Sequence, residues 1–133
     1  MMFLNTDGGA RGNPGPSATG AIIFNEKDVT VFEMGTYIGT ATNNEAEYQA
    51  LITGLEAALE KKFLEITCRL DSELVVKQLR GEYKVKNERL AVFHKKIKDM
   101  EKGFKHISYK HIPRAQNKEA DALVNQVLDA LSK

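Results

Sequence analysis

Tryptophan is absent from this 133-residue chain, and cysteine occurs once, at Cys68. A chain of this length buries a sizeable core without disulfides or metal staples, and a single cysteine excludes a disulfide framework within it. Cys68 falls in the alternating apolar run Leu64, Ile66, Cys68, Leu70, which reads as a small buried core residue rather than a catalytic thiol. Long apolar runs are missing too. Met1 to Leu4 gives way to Asn5 and Asp7, far short of a signal peptide's apolar region or a membrane span. Repeats, low-complexity segments and linkers are absent as well. The expectation is one soluble domain over residues 1–133, a cytoplasmic monomer in a reducing compartment, with no membrane association.

The formal net charge of +1 hides an asymmetry along the chain. Residues 1–60 carry 2 basic and 8 acidic side chains, whereas residues 61–133 carry 17 and 10. The excess is sharpest from Lys77 to Lys118, with 13 Lys and Arg against 4 Asp and Glu. A one-sided basic surface suits a polyanion such as nucleic acid, although a solvated helix face gives the same composition.

Period and punctuation divide the chain in the order βββαβααβα. Residues 2–7 alternate as a strand, and the four glycines and two prolines from Gly8 to Pro16 predict a backbone-exposed loop. Residues 18–25 and 29–38 are rich in β-formers and separated by a polar turn, which makes the first three strands an antiparallel meander. Helical spacing begins at Thr42 and runs to Lys62, with Thr42 or Asn43 as N-cap. A buried strand over 63–71, a short helix from Ser72, a one-sided helix through Leu90, Phe93, Ile97 and Met100, a strand near 105–112 and a closing helix from Asn117 complete the pattern. Strands separated by helices argue for parallel pairing in the second half, hence a mixed α/β sheet covered by helices.

The stretch TNNEAEYQAL places Glu45 and Glu47 two positions apart at a helix start. From Glu47, helical steps reach Leu51, Gly54 and Ala58, the packed side, so Glu47 is expected to face inward. From Glu45 they reach Gln49, Ile52 and Glu56, so Glu45 is expected to face water. A carboxylate turned inward is costly without a charged partner, and a metal ion is the strongest partner available. Three further acids occupy related places: Asp7 near the end of the first strand, Asp71 at the end of the fourth, and Asp121 in the first turn of the last helix. Turn, cap and helix-dipole roles account for each separately. Together they converge on the carboxyl ends of strands, where α/β sheets place their ligands. Oxygen-only ligands select hard ions, Mg²⁺ or Mn²⁺. Two such ions roughly 3.5–4 Å apart serve phosphodiester hydrolysis.

The segments TDGGARGNPGPS with Asp7, TNNEAEYQAL with Glu47, LDSELVVKQL with Asp71 and HIPRAQNKEADALV with Asp121 resemble ribonuclease H, type 1, in family order across essentially the whole chain. The resemblance implies a five-stranded mixed sheet in the order 3-2-1-4-5 flanked by helices. It also implies endonucleolytic cleavage of the RNA strand of an RNA/DNA hybrid, leaving 3′-hydroxyl and 5′-phosphate ends, with other RNA-containing duplexes as weaker substrates. Carried over by position, Asp7, Glu47, Asp71 and Asp121 would hold two Mg²⁺ ions, or Mn²⁺, once substrate is bound, Asp7 bridging them. Gly8, Gly9, Asn13, Asn43 and Asn44 would read 2′-hydroxyls in the minor groove, and Thr42 would help hold a phosphate of the DNA strand. Either Arg114 or His111 would assist proton transfer or product release, Arg114 being favoured because His111 alternates in phase with Ile107 and Tyr109 as the end of a strand. His94 and His106 are assigned to the surface.

Three departures from that family pattern stand out. Only RGEYKVKNE joins the short helix to the long one, where many relatives insert a longer basic segment, and no appended hybrid-binding domain is expected. Glu73 stands where a glutamine is often found. A module that binds nucleic acid without cutting it is the competing function, and a junction resolvase or transposase core is a further one. The complete set of four acids disfavours the first, and the ribose-reading segments GNPGPS and TNNEAEY disfavour the second.

Overall fold

Five strands and four helices make up the computed structural model, which describes residues 1–132. In chain order they are β1 (Met2–Ala10), β2 (Gly15–Phe24), β3 (Thr30–Ala41), α1 (Asn43–Glu60), β4 (Glu65–Leu70), α2 (Glu73–Leu79), α3 (Glu88–Glu101), β5 (His106–His111) and α4 (Lys118–Leu131). A single 3-10 turn, Arg114–Gln116, precedes α4. The sheet order is β3-β2-β1-β4-β5. β1, β2 and β3 pair antiparallel, and β4 pairs parallel with both β1 and β5. The expected mixed sheet is therefore the observed one. No helix among the described residues is long and apolar enough to cross a membrane.

The glycine-rich segment departs from the expected loop. β1 continues through Ala10 and β2 begins at Gly15, because Gly8, Gly9 and Ala10 keep ladder partners in Thr19, Ala18 and Ser17. Backbone pairing needs no side chain, so glycine weakens a strand without forbidding it. Only residues 11–14 turn, closed by the Arg11 amide donating to the Pro16 carbonyl at 2.9 Å. β3 likewise runs on to Ala41 past a bulge, with Gly39 and Ala41 opposite Ser17 and Gly15.

Two apolar layers hold the sheet. Leu4, Ile23, Ile66, Cys68 and Leu70 face α1, α2 and α3 and join Leu51, Leu55, Val75 and Leu79 in the main core. Each such side chain contributes about 1.5–3 kcal/mol on burial. On the other face Ala18 packs with Val124 and Leu128 of α4. Burial pushes the Cys68 thiol well above its ordinary range, which leaves it an inert core residue.

Two glycines set how closely the helices approach the sheet around Asp7. A methyl group on Gly8 would lie 2.2 Å from the backbone of Ala46 in α1. One on Gly20, the partner of Asp7 in β2, would lie 2.4 Å from the carbonyl oxygen of Ala120 in α4. The first turn of α1 thus presses on β1 at Gly8, and that of α4 on β2 at Gly20, directly beside Asp7. Replacing Gly8 by alanine should lower stability by roughly 1–3 kcal/mol, as overpacking does. Urea denaturation checks this, and an unchanged midpoint would show that the contact does not constrain α1.

Candidate active site

Asp7 stands near the end of β1, and Asp71 is the first residue beyond β4, on the neighbouring parallel strand where Thr6 pairs with Leu70. Glu47 comes from the start of α1. One carboxylate oxygen from each of Asp7, Glu47 and Asp71 lies within 4.8 Å of the others. Asp7 and Glu47 are each 7% exposed, so the meeting takes place largely out of water. Together with Asp121 they line a cavity of about 440 Å³. Asp121 stays outside the tight trio, its two oxygens engaged by Arg114 Nη2 at 3.5 Å and Asn125 Nδ2 at 3.3 Å.

Glu47 faces inward as its helical position predicts, and its Oε1 accepts the Gly8 amide at 2.6 Å. Its Oε2 is buried with no hydrogen-bond partner. Glu45 does not face water as expected: it is buried, with its Oε1 accepting the Thr42 amide at 2.9 Å while Thr42 Oγ1 accepts the Glu45 amide. Its other oxygen pairs with Arg89 at 3.1 Å. Side chains in a first helical turn lean back toward the cap, so a reciprocal capping box overrides the wheel.

Burial pushes the Asp7 carboxyl up to about 7, with the nearby charges of Asp71 and Asp121 adding to the effect. Glu47 is raised well above the ordinary glutamate range, first by burial and then by the neighbouring Asp7 carboxylate. Without a cation, the pair therefore holds a proton near neutral pH. The donor set fits a hard divalent ion: all ligand atoms are oxygen, the cavity lining contains no His or Cys, and the bare Glu47 Oε2 lacks the partner that burial demands.

Gly8, Gly9, Asn43 and Asn44 line the same cavity. Asn13 does not line the cavity but braces a residue that does, its Oδ1 accepting the Asn43 amide at 3.1 Å, while Asn43 Oδ1 accepts the Ala10 amide at 2.9 Å. Thr42 caps α1. Arg114 lines the cavity from the 3-10 turn, whereas His111, exposed at the end of β5 opposite Leu70, does not. His106 is exposed as expected. His94 is half-buried instead, its Nε2 3.1 Å from the Gln78 carbonyl. Glu73 is exposed, paired with Lys77 at 3.3 Å.

Three contributors escaped the reading from sequence. Arg11 and Asn125 line the cavity, and fully buried Asn117 donates to Asp71 Oδ2 at 3.0 Å. Asn117 was legible only as the start of the last helix. Nothing local separates an asparagine that caps from one that reaches across.

The chain matches a family model described as reverse transcriptase-like over residues 5–127. It is 46% identical over 123 residues to Ribonuclease HI of Halobacterium salinarum, covering 92% of this chain and 62% of that protein. It is 40% identical over 133 residues to the bifunctional protein Rv2228c of Mycobacterium tuberculosis, covering 99% of this chain but 36% of that one. The chain thus spans about a third of the mycobacterial relative and under two thirds of the archaeal one. Among solved structures, LC11-RNase H1 in complex with an RNA/DNA hybrid is similar at 42% identity, with full coverage of both chains and a TM-score of 0.94.

A folded state that keeps a proton on Asp7 up to about pH 7 binds more protons than the unfolded chain, whose aspartates titrate near pH 3.9. Stability in chelator should therefore fall as pH rises from about 4 to 7, by at most about 4 kcal/mol for a shift of this size. Thermal melts from pH 4 to 8 test this. Asp7→Asn should flatten the profile and melt above wild type at pH 8, and Mn²⁺ should restore the wild type at that pH. A wild-type profile already flat in chelator would contradict the burial cost assigned to Asp7.

Proposed function

The chain belongs to the ribonuclease H, type 1, family, and we propose on that premise that it is a metal-dependent endonuclease that hydrolyses the RNA strand of RNA/DNA hybrids by a two-metal mechanism. One observation carries the reading. Asp7, Glu47 and Asp71 meet within 4.8 Å at the carboxyl ends of adjacent parallel strands, with a buried Glu47 oxygen left unpartnered, at the wall of an open cavity. Such a cluster is stable near neutral pH only with protons or cations between the acids.

In this reading Asp7, Glu47, Asp71 and Asp121 hold Mg²⁺ or Mn²⁺. The ions when bound supply Lewis acidity, polarising the phosphoryl group and easing deprotonation of the attacking water. The protein's own part is placement. Gly8 fixes the Glu47 carboxylate through its amide, and the rigid strands under Asp7 and Asp71 hold their oxygens close before any ion arrives. Asn43, Asn44 and the backbone of Gly8 and Gly9 offer donors and acceptors at the cavity wall, the groups needed to recognise a 2′-hydroxyl, which DNA lacks. Arg114, 81% exposed on its side chain and 3.5 Å from Asp121, is placed to move between that acid and a phosphate. Water attack and release of the 3′ oxygen give 3′-hydroxyl and 5′-phosphate ends.

Cleavage of labelled RNA/DNA, RNA/RNA and DNA/DNA duplexes in Mg²⁺ and in Mn²⁺ should show cuts only in RNA-containing strands, abolished by chelator. Asp7→Asn should reduce hybrid cleavage by about 10³-fold or more, because metal stabilisation of transition-state charge is worth several kcal/mol. Equal and negligible rates for wild type and variant would instead indicate a binding module. Arg114→Ala should slow turnover on the order of 10-fold, a typical contribution of one positioned charged group, while His111→Ala leaves it near wild type. Degradation of the products by a 5′-phosphate-dependent exonuclease checks the end chemistry.

A further inference from the structure

Asn117 occupies the N-cap position of α4 but makes no cap bond with its side chain. The residue is fully buried. Its Nδ2 donates at once to the Thr6 carbonyl of β1 at 2.8 Å and to Asp71 Oδ2 at 3.0 Å. Its Oδ1 has no partner. Exchanging the amide's nitrogen and oxygen would set an oxygen against two acceptors, so the contacts fix its orientation. Asparagine is among the best N-cap residues. Here it forgoes that bond, and leaves a buried oxygen bare, to span from the start of α4 to a strand and a carboxylate.

The span joins the three elements whose relative placement the site needs. Thr6 immediately precedes Asp7, Asp71 follows the strand in parallel register with β1, and Asp121 lies four residues beyond Asn117 in α4. An amide also differs from a lysine or arginine in this place, because it restrains the Asp71 carboxylate without neutralising its charge or competing with a cation. We propose that Asn117 is a positioning residue for divalent-ion binding, locking Asp71 in place against Asp7 and Glu47. The inference rests on the metal-dependent reading above.

Serine tests it, because it caps a helix well but is too short to reach Asp71. In Asn117→Ser, calorimetric titration with Mn²⁺ alone should show affinity lowered 10- to 100-fold, the usual effect of removing a partner that orients a metal ligand. Turnover should fall while KM for the hybrid stays within about 2-fold, since groove contacts are untouched. The melting temperature in chelator should stay near wild type. In an Asp71→Asn background the same substitution should cost no further Mn²⁺ affinity, as expected for two groups acting through one contact.

Wild-type Mn²⁺ affinity in the serine variant overturns the inference, as does an equal loss with and without the Asp71 carboxylate, which would mark a merely structural role. If the serine variant does not fold, Asn117→Thr repeats the test with a larger capping side chain. Failure of both to fold would assign Asn117 to the core and overturn the proposal. A wild type that cleaves hybrid but binds Mn²⁺ no better than the variants sinks the inference alone, and a wild type that binds no divalent ion sinks the metal-dependent reading with it.

Discussion

Carboxylates that meet out of water repel one another, and the end of this sheet is built to hold that repulsion in place. Two like charges about 4 Å apart cost about 4 kcal/mol at an effective dielectric near 20. Asp7 and Glu47 bear desolvation in addition, which is why both are raised. A flexible segment would relieve the strain by swinging an acid into solvent. Here two acids stand at the ends of hydrogen-bonded parallel strands, and the third is on a helix fixed by the Gly8 contact. Relief must come from bound protons or bound cations, and the all-oxygen donor set favours hard ions.

That rigidity depends on close approach more than on any single strong bond. Gly8 lets α1 press on β1, and Gly20, the β2 partner of Asp7, lets α4 press on β2, so the helix starts that carry Glu47 and Asp121 both arrive beside Asp7. The capping box of Thr42 and Glu45 fixes the start of α1, and the Arg89 ion pair ties it to the start of α3. On the other side, Asn43 is stitched to Ala10 and Asn13, which seats the turn at residues 11–14 against the same helix end. Arg11 reaches the last turn of α4 through Asp129 at 2.5 Å. The acids and the residues proposed to face the groove therefore share one scaffold.

Features set by period were legible in the sequence. Strand alternation and helical spacing gave the element order, and the intervening helices implied parallel pairing for β4 and β5. The step from Glu47 to Leu51, Gly54 and Ala58 predicted its inward face. Features set by a single distant contact were not legible. The capping box that turns Glu45 inward lies in the local spacing of Thr42 and Glu45, but its ion pair with Arg89, 44 residues away in sequence, does not. The glycine run pairs as strand because β2 lies alongside to receive it, and local composition describes only its reluctance. Asn43 opens α1 and Asn117 precedes α4, two asparagines at helix starts, yet Asn43 bonds the Ala10 amide while Asn117 spans two elements. The alternation that placed His111 at a strand end also kept it out of the cavity, whereas Arg114 enters because the chain turns sharply after Pro113.

The charge asymmetry between the two halves of the chain follows from the same site. A cavity walled by acids repels phosphate, so cations at Asp7, Glu47 and Asp71 would have to reverse its local sign before a phosphodiester could settle there. In the proposed reading, metal and nucleic acid therefore bind with positive coupling, each raising the affinity for the other by the same factor. The exposed cations Lys84, Lys86, Lys95 and Lys96 of the α2–α3 connection and α3 meet no such conflict. They can hold a polyanion whether or not the acids are filled, and their contribution weakens with salt as counterion release requires. In the proposed reading, separating a salt-sensitive grip from a metal-dependent pocket would let the duplex be held by charge while cleavage waits on the ions.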